Sequence, residues 1–267
     1  MKYLAVPLCT AVLLAGCAPT YQQAPNMVGF DERAGPGKLH SVNLTSNIYV
    51  SVEQAQQSVL YRAAEVAVQQ GKNHFFLFEG LNEAASGHAA PLPRTAKVQH
   101  GVLTFSFVLP IDQAQEHSFD ARAVMLQLKE VVNPDSKNWP VSAAVTAPPV
   151  AAGMVNVQVT GRGKNFICQD NRWNSLTPVV VGTARFIQVP ADRPVSLLRV
   201  MRETTGECQG ALSFFPRAGQ GYAFNISVEP VTGAGPVCVL ELVRNDSAAP
   251  SGLSLEEVRT PACRVRD

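Results

Sequence analysis

Residues 51–71 (SVEQAQQSVLYRAAEVAVQQG) run straight into residues 72–80 (KNHFFLFEG), and this junction decides the architecture of the first half of the chain. Ser51 with Gln54 three positions later is a capping-box pair, and Glu53 sits favourably in the positive first turn. Val52, Ala55, Val59, Ala63, Val66 and Ala67 recur at steps of three and four, which makes one apolar stripe. Gly71 supplies the left-handed residue that ends many helices. The spacing predicts a helix over Val52–Gln70. His74-Phe75-Phe76-Leu77-Phe78-Glu79 then reads as a short apolar strand after a tight turn, so the helix should pack back on its own sheet.

Upstream, His40–Leu44 and Ile48–Val50 look extended on either side of a polar break at Thr45–Asn47. Downstream, residues 80–96 read as a Gly/Ala/Pro loop. Leu103, Phe105 and Phe107 alternate, as do Val124, Leu126 and Leu128, which predicts strands at about 101–109 and 121–132. The expectation is a small α+β domain over 39–139, with one helix on a small antiparallel sheet. The segment YRAAEVAVQQGKNHFFLFEG resembles a unit of uncharacterised proteobacterial lipoproteins, an "RAAE" helix leading into an aromatic strand. That resemblance covers about residues 55–80 and implies no activity.

Residues 140–152 are Pro/Ala-rich without period and read as a semi-rigid linker. From Met154 strands recur at all-β spacing: Val155–Thr160, Ala184–Val189, Val195–Glu203, Leu212–Pro216, Tyr222–Glu229, Val237–Arg244 and one near Glu257–Arg259. Arg217–Gly221 reads as a hairpin turn, and FFPRAGQGYAF is similar to a hairpin pattern of exported β-domains. Residues 153–267 should form an all-β sandwich of immunoglobulin- or transthyretin-like type.

The opening of the chain bears on location. After Lys2 comes an apolar run of about a dozen residues, short of the roughly 20 a spanning helix needs, and Leu14-Ala15-Gly16-Cys17 closes it. A basic tip, an apolar core and small residues before the cut are the pattern of a secretory leader over 1–16. Leu-Ala-Gly-Cys resembles the lipobox of bacterial lipoproteins. That resemblance implies cleavage before Cys17, acylation of its sulfur and new N-terminus, and attachment to the membrane through lipid. Ala18, in place of an aspartate, implies the outer membrane, on its periplasmic face. Residues 17–38 read as a flexible tether.

Removing residues 1–16 deletes Lys2 and no acid, leaving 22 − 1 = 21 basic residues against 21 acidic ones. Dispersed, balanced charge gives no footprint for nucleic acid. With Cys9 in the leader and Cys17 in lipid, Cys168, Cys208, Cys238 and Cys263 remain, an even set suited to two disulfides in an oxidising compartment. Their gaps of 40, 30 and 25 positions do not fit zinc. Strand direction favours 208–238 with 168–263, and 168–208 with 238–263 is the close alternative.

No catalytic constellation emerges. His40, His74, His88, His100 and His117 include no pair at metal-binding helical spacing and no H-E-x-x-H, and the chain has no G-x-S-x-G elbow. His100, His117 and Asp120 could meet at hairpin ends, but solvated loop residues are the plainer reading. Asp112, Glu116 and Asp120 lack the grammar of a calcium loop. Thr160–Asn165 lacks the Ser/Thr that follows lysine in a phosphate loop and reads as a β-turn. Arg162, Lys164, Arg172 and Trp173 around Cys168 make a candidate interaction face. The expectation is a non-catalytic, lipid-anchored envelope protein acting as a structural or protein-interaction module in the periplasm, without cofactor, metal or nucleic-acid partner and with another envelope protein as its partner. A periplasmic hydrolase and a small-ligand or glycan-binding lipoprotein are the alternatives.

Overall fold

The computed structural model describes residues 29–98, 101–132, 139–160, 163–203, 206–229 and 237–264. Cys17, the leader, His100 and Arg162 lie outside the described residues. The first half contains β1 (Gly29–Ala34), β2 (His40–Ser46), α1 (Val52–Gln69), β3 (His74–Phe78), α2 (Leu81–Ser86), β4 (Arg94–Val98), β5 (Gly101–Ile111), β6 (Phe119–Asp120) and α3 (Ala121–Val132). The sheet runs β1-β2-β5-β3-β6, with β4 also on β5, and every pairing is antiparallel.

Local chemistry sets both ends of α1. Ser51 Oγ accepts from the Gln54 amide and Gln54 Oε1 from the Ser51 amide, both at 3.1 Å. At the other end Gly71, at φ +72°, lets the Lys72 amide reach back to Ala67 O at 2.9 Å. The small residues Ala55, Ala63 and Ala67 let the helix sit close to the sheet, and Val59 and Val66 fill the space against Val42, Leu44, Phe75 and Leu77.

Several expectations are corrected in this half. Residues 29–34, read as tether, are β1, because Phe30 and Ala34 are apolar on alternate positions and bury against the α1 side and the sheet. Ile48–Val50 is a turn, not a strand, closed by the Val50 amide on Asn47 O. The loop read at 80–96 holds α2 and the start of β4. Residues 121–132 form α3 rather than a strand. Ala121, Val124, Leu128 and Val132 bury one helical stripe, while Leu126, which a strand would have buried with Val124, is 80% exposed. Among the described residues, three helices therefore stand where one was expected.

The second half is a two-sheet sandwich, consistent with an all-β reading. It contains β7 (Met154–Val159), β8 (Lys164–Gln169), β9 (Arg172–Leu176), β10 (Val179–Val181), β11 (Ala184–Pro190), β12 (Val195–Glu203), β13 (Gly206–Phe214), β14 (Tyr222–Glu229), β15 (Val237–Asn245) and β16 (Leu253–Leu255). One sheet runs β10-β11-β7-β14-β15-β16 and the other β13-β12-β8-β9. Among the described residues of this half, β7 and β14 are the one parallel pair. Val157, Val189, Leu197, Phe214, Tyr222 and Phe224 are among the side chains that interdigitate between the sheets.

Here too local readings are revised. The segment read as a turn at Thr160–Asn165 gives way at Lys164 to β8, and Asp170-Asn171, both at positive φ, close the β8–β9 hairpin. Arg217–Gly221 does not close a hairpin. It carries the chain from β13 in one sheet to β14 in the other, and the Tyr222 hydroxyl accepts from the Arg217 amide at 2.9 Å to fix the crossing. The last strand lies at Leu253–Leu255, and the expected one at 257–259 is reduced to a single bridge between Arg259 and Ser213.

The two halves share apolar surface. Leu39, Phe78, Leu81, Phe107 and Leu109 from the first half and Ala223, Val243 and Leu253 from the second form one buried cluster. Lys38 N donates to Ser251 O at 3.0 Å beside it.

Candidate functional site

The face expected from Arg162, Lys164, Arg172 and Trp173 is not assembled among the described residues. Lys164 opens β8 and Gln169 pairs with Arg172 at its far end, so Lys164 and Arg172 stand five residues apart along the strand, about 17 Å. Arg172 and Trp173 are adjacent and so project to opposite faces of the sheet. Trp173 lies across from Cys168, and its Nε1 donates to Arg264 O at 2.9 Å. That bond and the Cys168–Cys263 pair fasten the same C-terminal segment to β8 and β9.

The four cysteines fall into two pairs at disulfide distance, Cys168–Cys263 and Cys208–Cys238, each with Cα atoms 5.7 Å apart. The second pair joins β13 to β15 and so ties one sheet of the sandwich to the other.

The acidic and histidine candidates are dispersed into other work. Asp112 pairs with Lys72 at 2.8 Å, Asp120 Oδ1 accepts from the Ala123 amide at 2.8 Å to cap α3, and exposed His117 faces Glu116 at 3.6 Å. His88 is exposed and His74 pairs with Asp120 across β3 and β6. Among the described residues no group of three or more His, Cys, Asp or Glu is placed to hold a metal ion.

The densest buried chemistry is one that the sequence reading did not assemble. Arg62, the arginine of the RAAE segment, is 1% exposed. Its guanidinium lies 4.9 Å from the centre of the Phe30 ring, donates to Glu65 Oε2 at 3.0 Å, and reaches Trp139 O at 3.2 Å and Pro140 O at 3.3 Å. Glu32 Oε2 stands 3.8 Å away. Glu32 in turn accepts from His40 Nδ1 at 2.7 Å and from the Ser142 amide at 2.8 Å, while its backbone oxygen takes the Ser142 hydroxyl at 3.1 Å. His40 Nε2 meets the Gln70 side-chain amide. Burial by itself would raise the Glu32 carboxyl. The His40 hydrogen bond, the Ser142 amide and the charges of His40 and Arg62 outweigh it, and the group is held below the usual carboxylate range. Burial, with the Glu65 charge adding, raises the Tyr61 phenol.

This cluster is a clamp. Four hydrogen bonds from α1 and β1 secure residues 139–142, where the expected α+β domain ends and the segment read as a linker begins. That segment is held at its other end by Asn156 Nδ2 on Pro148 O and by Gln188 Nε2 on Pro149 O at 2.9 Å. The Arg62–Glu65 spacing of three on a helix was the readable signal; the partners at 32, 40 and 139–142 are remote in sequence.

A second buried network lies where the halves meet. Glu241 on β15 is buried, accepts from the Asn82 amide at 2.9 Å, and so caps the N-terminus of α2 from the other half of the chain. A Cβ at Gly80 would meet the Glu241 and Glu83 carboxylates, which would have to shift to admit it. Asn225 Nδ2 donates to Glu241 Oε2 at 2.6 Å, Thr160 Oγ1 donates to Asn225 Oδ1, and Thr160 O accepts from Arg199. Burial raises the Glu241 carboxyl above its ordinary value, with the Asn82 and Asn225 hydrogen bonds opposing and the Glu83 charge adding. Arg199 is fully buried inside the sandwich, donates to Phe224 O at 3.3 Å, and is lowered to about 10 by burial and by the charge of Arg185.

Surface depressions are present among the described residues, and two of them are as follows. One, of about 410 Å³, lies between residues 142–146 and the β10–β11 turn at Val181–Thr183. The other, of about 200 Å³, is lined by Phe215, Arg217, Glu256, Glu257 and Arg259. No helix among the described residues is long and apolar enough to cross a membrane. Comparison with protein families, with curated proteins and with solved structures finds no match.

Proposed function

We propose that the protein is a non-catalytic, lipid-anchored envelope protein that acts as a structural or protein-interaction module in the periplasm. The observation that carries this reading is the use of its buried charges. Glu32, Arg62 and Glu241 are each engaged with backbone groups that fasten one part of the chain to another, so they serve as attachments and not as a reactive centre. The Leu14–Cys17 motif supports the lipid anchor and the outer-membrane location, and the two cysteine pairs suit an oxidising compartment. We read the chain as two domains meeting over a shared apolar boundary, and the sandwich as immunoglobulin- or transthyretin-like. The Tyr222 hydroxyl on the Arg217 amide, where the chain crosses between sheets, is the feature that favours it.

The test is mass spectrometry of the mature N-terminus together with Cys17→Ala. An acylated Cys17 at the start of the mature chain, and release of the Cys17→Ala protein from the membrane fraction, are expected. A mature chain cut elsewhere, or an unmodified Cys17, would refute the anchor. The binding-module alternative finds its support in the depression beside Phe215, where an exposed ring sits among Arg217, Glu256 and Arg259, a setting suited to a sugar face.

A further inference from the structure

Among the described residues, the most exposed large apolar pair in consecutive positions is Ile48 and Tyr49, 66% and 85% exposed. They occupy the tip of a preformed turn. Asn47 Oδ1 accepts from the Tyr49 amide at 3.0 Å and Asn47 O from the Val50 amide at 3.3 Å. Val50 packs on the core behind them and Ser51 caps α1, so the tip is fixed without a partner. The Tyr49 and Val50 amides are both engaged within the turn, and what it offers outward is a branched aliphatic side chain and a phenol.

The position of this tip in the fold gives it a partner. Gly29, where the described chain begins, pairs with Thr45, at the end of β2 that leads into the tip. The opposite end of the β1–β2 hairpin carries the contacts to the sandwich: Lys38 N on Ser251 O, and a Gly37 so close to Ser251 that a Cβ would overlap its carbonyl. The described chain therefore begins, at Gly29, at the end of the hairpin that leads to Ile48 and Tyr49 and lies away from the sandwich contacts. Twelve residue steps separate positions 17 and 29, so the acylated cysteine stays within about 40 Å of Gly29, at the end of the hairpin that leads to the tip.

Resting on the lipid anchorage proposed above, we infer that Ile48 and Tyr49 form a second, non-covalent membrane contact, inserted at the headgroup level beside the anchored chain and holding the sandwich away from the bilayer. Tyrosine suits that depth, its ring in the apolar boundary and its hydroxyl in water. Two side chains would not hold a free protein to a membrane, but a tether of this length keeps the tip at high local concentration near the surface. Glu53, exposed in the next turn, is the neighbouring charge in sequence. The contact is apolar and should not depend on anionic lipid or on salt.

The experiment uses the full lipidated chain, its N-terminal mass measured first, reconstituted in vesicles of phosphatidylethanolamine and phosphatidylglycerol at three to one, in roughly that ratio. Tyr49→Trp reports the tip and Phe215→Trp, on the sandwich, is the reference; each is read against the parent, which carries Trp139 and Trp173. The added emission of Tyr49→Trp is expected to shift to the blue and to be quenched by lipids brominated near the headgroup. That of Phe215→Trp should be unaffected, and adding Ile48→Asp to Tyr49→Trp should abolish the quenching. Acylated protein in which Tyr49→Trp is unquenched overturns the inference and leaves the anchor standing. Equal quenching of both reporters overturns the orientation. A blue shift of Tyr49→Trp in lipid-free detergent that grows with protein concentration would assign the tip to a second copy of the chain. An unacylated N-terminus removes the anchor, and the inference with it.

Discussion

Replacing Arg62 with methionine probes the clamp on residues 139–142. Methionine keeps an unbranched apolar stem of similar length, so the change removes charge and hydrogen bonds more than volume. Three things are lost at once: the Glu65 pairing at 3.0 Å, the bonds to Trp139 O and Pro140 O, and the positive charge 3.8 Å from Glu32. Glu65 and Glu32 are both under 10% exposed, so each would be left with a carboxylate short of a counter-charge in a dry setting. Breaking a buried pair in this way costs about 3–5 kcal/mol. For a chain of this size 1 kcal/mol moves Tm by roughly 2–4 °C, so a fall of about 6–20 °C is expected. Urea unfolding with intact disulfides measures the loss directly. Glu65→Leu in the Arg62→Met background should recover part of it, giving a coupling of about 1–3 kcal/mol in the double-mutant cycle. Limited proteolysis adds a local readout, because residues 139–152 lose half of their clamp and should be cut earlier than in the parent. A loss under about 1 kcal/mol, or additive single changes, would show that the guanidinium is solvated in place and would refute the clamp.

The remaining predictions concern pH, the cysteine pairs and the strand crossing. Glu32, lowered in the fold, contributes stability above the unfolded carboxylate value near 4.3 that disappears as pH falls through its folded value. Glu241, raised in the fold, acts in the opposite sense: its contribution is present below that unfolded value and is lost as pH rises through its folded value. Glu241→Gln should therefore flatten the decline in urea midpoint on going from acid toward neutral pH, and an unchanged slope would refute the assignment. Peptide mapping should recover 168–263 and 208–238 linkages. By loop length, breaking the 95-residue link should cost about 4.7 kcal/mol and the 30-residue link about 3.6 kcal/mol on the chain-entropy account, so the reverse order in unfolding assays would exclude that account here. Tyr222→Phe removes the acceptor of the Arg217 amide and should cost about 1 kcal/mol by thermal unfolding.

Signals confined to neighbouring residues were legible. The Ser51–Gln54 box and Gly71 mark the ends of α1, and alternation marks β12, β14 and β15 closely. Where two periods fit the same residues, sequence was ambiguous. Val124 and Leu128 belong to an alternating set with Leu126 and also to a helical set with Ala121 and Val132. Packing against α1 selects the second, since a helix buries that stripe and frees Leu126. Asp120, which caps α3, is the local signal that marks a helix start here. The 217–221 turn was recognised by its glycines, but glycines set the backbone of a turn and do not say which strand comes next to which.

By itself, then, the sequence determined the helix with its caps, most of the strands of the second half, the balanced charge and the even cysteine set, because each follows from spacing or composition within a short window. The tertiary structure decided which cysteines meet, that Arg62 and Glu32 hold residues 139–142, and that Glu241 caps a helix 160 positions upstream. Those contacts join groups far apart along the chain, and the free energy that selects them comes from desolvating charge and apolar surface together, which exists only once the sheets have closed over them.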